Sequence, residues 1–153
     1  MTQPQLPPQP SAEEVRAQAN QFMQMLRDLK ADGTPEATRL RSALIETVEK
    51  YDNSPDGRAE LVARLLGIES GIAELLMRTV EALRDRLYKE GKRIGASSQA
   101  GKSIRAMSRA LDTMADALQQ MVDAVAMADN DLRKRAVERL DEAKKQLQAV
   151  GMR

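Results

Sequence analysis

Residues 104–132 read IRAMSRALDTMADALQQMVDAVAMADNDL. Within this stretch Ile104, Met107, Leu111, Met114, Leu118, Met121, Val125, Ala128 and Leu132 recur at spacings of 3, 4, 3, 4, 3, 4, 3 and 4. A strict 3.5-residue repeat of this length keeps one apolar stripe turned toward a partner helix, and it is more demanding than the looser 3.6 pattern of an ordinary surface helix. The stripe decides the fold class: all-α, an elongated helical bundle with coiled-coil character.

Beyond Leu132 the repeat meets Arg135 and Arg139, and the apolar positions resume one step over as Ala136, Leu140, Ala143, Leu147 and Val150. Such a shift reads as a stutter inside one continuous helix. The spacing therefore predicts a helix over 98–149, roughly 75 Å long at 1.5 Å per residue.

The N-terminal side supplies three more helices. Ser11-Ala12-Glu13-Glu14 is a capping box, Val15, Ala19, Phe22, Leu26 and Leu29 follow at helical spacing, and Gly33 is placed to end the helix, so the first is expected over 11–32. Thr34 as cap and Pro35 at the first helical position start a second over 35–52, with Leu40, Leu44, Val48 and Tyr51 inward. Ser54-Pro55 repeats that logic for a third over 55–90, lined by Leu61, Leu65, Ile68, Ile72, Leu76, Val80, Leu83 and Leu87. Gly67 and Gly71 sit one turn apart within it, suited to a close helix approach or a bend. Two short helices are expected to pack on a long antiparallel hairpin made by the third and fourth, with 11–153 a single domain.

Residues 1–10 hold four prolines and three glutamines and read as a disordered, polyproline-like tail. The start of the chain lacks both a basic and an apolar signal region, and Leu61–Leu83, the most apolar long segment, carries too many charges to lie in lipid. A cytoplasmic protein without a transmembrane segment is expected.

Composition narrows the chemistry. The chain has no histidine and no cysteine, which excludes His-based triads, His-containing zinc sites, Glu-x-x-His di-iron sites and disulfides within it. With two tyrosines, one phenylalanine and no tryptophan, strand-rich folds and base-stacking surfaces lack their usual residues. No catalytic residue, cofactor or metal ligand is assigned. Ala96-Ser-Ser-Gln-Ala-Gly-Lys-Ser103 resembles a relaxed phosphate loop, but no strand precedes it, and it is read as a hairpin turn.

Charge is the remaining signal. The net charge is +1, yet Arg84, Arg86, Lys89, Lys92, Arg93, Lys102, Arg105 and Arg109 lie between 84 and 109 against only Asp85 and Glu90, while 111–131 holds five aspartates and no Lys or Arg. The hairpin end is thus a basic tip followed by an acidic band. The apolar seam outruns what two short helices can cover, so a protein partner, a second copy above all, is expected on Ile104, Met107, Leu111, Met114, Leu118, Met121, Val125 and Leu132. The expected function is a non-catalytic helical assembly or adaptor protein. A small nucleic-acid-associated subunit using the basic tip is the less favoured alternative, and an amphipathic coat on a lipid or polymer surface a second one.

Overall fold

The computed structural model describes residues 10–53, 58–95 and 97–150. All regular structure in them is helical: α1 Ala12–Asp28, α2 Pro35–Asn53, α3 Arg58–Ile94, α4 Gln99–Ala126 and α5 Asn130–Ala149. No helix among the described residues is long and apolar enough to cross a membrane. Of the expected tail, residues 1–9 lie outside the described residues and Pro10 is buried; Ser54 and Pro55 also lie outside them.

The caps explain the helix boundaries. Ser11 Oγ accepts from the amide of Glu14 at 3.2 Å, and Thr34 Oγ1 accepts from that of Ala37 at 3.1 Å. α1 ends before Gly33 rather than at it. Lys30 takes the left-handed conformation at φ 60°, its N–H reaching Arg27 O at 3.0 Å while that of Ala31 reaches Leu26 O at 2.7 Å. These two bonds form a Schellman motif.

The same device corrects the largest expectation. The predicted helix over 98–149 is two helices, because Ala128 adopts φ 53° and its N–H and that of Asp129 turn back to Val125 O and Ala124 O. Asp129 then caps α5, its carboxylate accepting from the amide of Leu132 at 3.0 Å. The chain reverses here. α5 folds back along α4, with Arg139 donating to Gln120 Oε1 at 2.6 Å and Leu147 lining one cavity with Leu111 and Met114. Instead of one rod of roughly 75 Å, α4 and α5 measure about 42 and 30 Å.

α3 is the central element, packed against α1, α2 and α4. Arg84 on α3 bonds Asp112 on α4 at 3.0 Å, and a Cβ at Gly91 would meet Ile104 at 3.2 Å, so α3 and α4 run in opposite directions. α2 also runs against α3, with Glu36 held by Arg78 at 2.6 Å. Of the two paired glycines, Gly71 gives α2 its close approach, since a Cβ there would lie 3.0 Å from Leu40 Cδ2, whereas Gly67 faces open space. Phe22 and Leu26 from α1, Ile72 and Leu76 from α3, Leu111 and Leu118 from α4, and Leu140 from α5 are buried together in one core.

Candidate functional site

Met25 and Leu29 at the end of α1, and Leu147 at the end of α5, reach the level of Leu111 and Met114. Among the described residues only α3 and α4 continue beyond that level, and this two-helix projection carries the basic tip. Arg86, Lys89, Lys92, Arg93, Lys102, Arg105 and Arg109 are exposed on it, and Arg84 is half-buried. Arg84 bonds Asp112, which pushes its guanidinium further up, Arg93 pairs with Glu90, and Lys92 lies 4.8 Å from the Tyr88 ring centroid.

The tip turn is tightly built. Ser98 caps α4, accepting from the amide of Gly101 at 3.0 Å and donating to Gly95 O at 3.1 Å. A Cβ at Gly101 would lie 2.1 Å from that same carbonyl, so only glycine lets the first turn of α4 sit on the end of α3. The segment resembling a phosphate loop is therefore a helix-to-helix turn. Its first residue, Ala96, lies outside the described residues.

One side of the projection is a groove of about 440 Å³. Leu87, Gly91 and Ile104 give it an apolar lining, and Tyr88, Lys92, Arg105 and Arg109 bring an aromatic ring and cations to it. Tyr88 is 62% exposed.

The apolar seam itself faces inward. Ile104, Leu111, Met114, Leu118 and Met121 are buried, Met107 and Val125 are half-buried, Ala128 is exposed in the turn, and Leu132 belongs to α5. The premise that the seam needs a second chain to cover it does not hold, because α5 supplies the cover. What α4 leaves exposed is its opposite face: Lys102, Arg105, Arg109, Asp112, Asp116, Gln119, Asp123 and Met127, at spacings of 3, 4, 3, 4, 3, 4 and 4. This stripe begins with three cations and continues with acidic and amide groups. It ends on Met127, which is 61% exposed.

A buried ion pair links α5 to α3 at the other end of α4. Arg133 on α5 donates to both carboxylate oxygens of Glu69 on α3, at 3.0 and 2.6 Å, with Glu69 fully buried and Arg133 5% exposed. Burial pushes the Glu69 carboxyl up from its ordinary value, and the Arg133 guanidinium pulls partly back. Both residues occupy seam positions: Glu69 falls between Leu65 and Ile72 at spacings of 4 and 3, and Arg133 precedes Ala136 and Leu140 at 3 and 4.

Comparison with protein-family models, with curated proteins and with solved structures finds no match. Among the described residues no group of three or more acidic side chains is placed to hold a metal ion. The arrangement supplies surfaces: a cationic projection with an apolar groove, and a helix face that passes from positive to negative.

Proposed function

We propose that the protein is a non-catalytic helical assembly or adaptor protein, working in the cytoplasm through self-association and contact with other protein surfaces. The observation that carries this is the outer face of α4. A helix face with cations at one end and carboxylates at the other complements a second copy of itself laid antiparallel, which is how a closed twofold interface is specified. The coiled-coil seam supports the reading differently from the sequence expectation: it rigidifies the module that presents this face.

Nucleic-acid binding through the tip competes for the same cations. Lys89, Arg93 and Arg86 are exposed and would meet phosphates, but Tyr88 is the one aromatic side chain of the tip, so base stacking has little to build on. A coat on lipid or polymer needs an exposed apolar stripe, and the stripes of α1, α4 and α5 are turned into the core.

Sedimentation velocity over about a hundredfold range of protein concentration at low salt tests the proposal, since self-association follows mass action. The expected result is a concentration-dependent shift from a 17.0 kDa particle to twice that mass, weakened by added salt. A monomer throughout would remove self-association. A steep salt-dependent gel shift with generic duplex DNA or RNA would favour the nucleic-acid reading instead.

A further inference from the structure

Two features lie at opposite ends of the same exposed face of α4. At the start of the helix is the groove floored by Gly91, Leu87 and Ile104 and walled by Lys92 and Arg109. Some 22 residues on, about 33 Å along the axis, Met127 stands out of the α4–α5 turn among Asp123, Asp129 and Asp131, all exposed. On α4 no Lys or Arg follows Arg109. One end is an apolar groove with cationic walls, and the other is a flexible apolar side chain framed by carboxylates. Each has the shape and charge to receive the other.

We propose that two copies of this chain pair antiparallel along the outer faces of their α4 helices, with Met127 of each seated at the mouth of the other's tip groove. The inference rests on the self-association reading above and names its interface. With the twofold axis near Thr113, residue 102 of one copy lies opposite residue 123 of the other, and residue 109 opposite 116. Lys102 then meets Asp123, Arg109 meets Asp116, and Met127 arrives at the level of Ser98, between Gly95 and Gly101 of the groove lining.

Two copies of Asp112 would approach each other beside the axis. Arg84, already bonded to Asp112 at 3.0 Å, supplies the compensating positive charge there. Small side chains flank the stripe at Ala106, Ser108 and Thr113, so the two helix backbones meet no bulky obstacle. A thioether is suited to the groove because it is unbranched and fills irregular apolar space. Both contacts close at once under the twofold, so the pairing ends at a dimer rather than growing into a filament.

Charge exchange between two variants tests the proposal. Lys102→Asp with Arg109→Asp leaves Arg105 as the one cation of the stripe and makes it predominantly acidic, and Asp116→Lys with Asp123→Lys leaves Asp112 as its one carboxylate and makes it predominantly basic; all four positions are exposed, so thermal unfolding of each variant at low concentration checks that the fold persists. In sedimentation equilibrium at low salt each variant alone should dissociate at least about tenfold more readily than the wild type, because attractions become repulsions. An equimolar mixture of the two should restore a dimer, and Met127→Ala in the wild-type background should weaken it. Either charge variant dimerising alone as the wild type does would place the interface elsewhere and leave the self-association reading standing. A wild type that is monomeric throughout overturns both. Failure of the mixture to restore the dimer overturns the charge-paired arrangement.

Discussion

Replacing Arg133 by Met lowers the stability of the folded chain by about 3–5 kcal/mol at neutral pH, roughly 6–20 °C in melting temperature for a domain of this size. The loss comes from what is left behind. Glu69 is fully buried on α3, and its two oxygens receive the guanidinium of Arg133. Without that guanidinium a carboxylate sits in the core with no counter-charge, and the chain must either protonate it or open. Replacing both residues together, Glu69→Leu with Arg133→Met, should be neutral or stabilising by about 1–4 kcal/mol, because desolvating two charges costs nearly as much as their attraction returns.

The pH dependence has a definite sign. Burial raises the folded Glu69 carboxyl above its ordinary 4.5, so its contribution to stability is fully present below that value and is lost as pH rises through the raised folded value. Removing Arg133 removes the two influences that lower the folded value and pushes it higher still. The deficit of Arg133→Met should therefore be small near pH 4.5 and grow toward about pH 7.5. Urea midpoints of variant and wild type at the two pH values measure it, and a deficit that does not change with pH would contradict the buried pair.

Leu118→Ala is expected to cost about 2–5 kcal/mol. Leu118 has no exposed surface, and it lies at the middle of the seam in the core cluster to which α1, α3 and α5 also contribute. Its truncation opens a cavity within one chain. The fall in melting temperature should be the same across about a hundredfold range of protein concentration, whereas a seam shared between two chains would make it concentration-dependent. Chemical denaturation of the variant at two protein concentrations separates these outcomes.

The seam residues of α4 and of α5 were legible in the sequence because the spacing that defines them is the spacing that buries them. Ala136, Leu140, Ala143 and Leu147 are buried on α5 as their register implies. The turn between the helices was not legible, for a definable reason. Helix ends announce themselves through glycine at the left-handed position, and here Ala128 and Lys30 occupy it. Hydrogen bonds and the following cap outweigh the roughly 1–2 kcal/mol that a left-handed non-glycine residue costs. The signal that was present is Asp129-Asn130-Asp131, a cap and an acidic first turn, but it stood where the heptad still scored Ala128 and Leu132.

Glu69 and Arg133 each sit at helical spacing from buried apolar residues, but the apolar spacing of the sequence runs through Ile68 and Ala136 and singles out neither. Nothing in a single sequence joined them, because they meet only when α5 folds back. The basic tip was legible as composition, and its groove was not, because the groove depends on Gly91 and Gly101 letting α3 and α4 approach closely. The outer stripe of α4 follows from the same reversal: once α5 covers the seam, the opposite face is the one left exposed.

Both the proposed function and the proposed interface rest on the reversal at Ala128. The chain has no cysteine, so Thr113→Cys with Gln148→Cys introduces the only two, both accessible enough for spin labels. Pulsed electron paramagnetic resonance, with labelled protein diluted in unlabelled protein to remove contacts between copies, reads the distance between them. A folded-back α5 places the labels within about 25 Å, given helix axes 8–10 Å apart and the reach of the label arms. A continuous helix from 98 to 149 would place them about 52 Å apart at 1.5 Å per residue, and that distance would contradict the account.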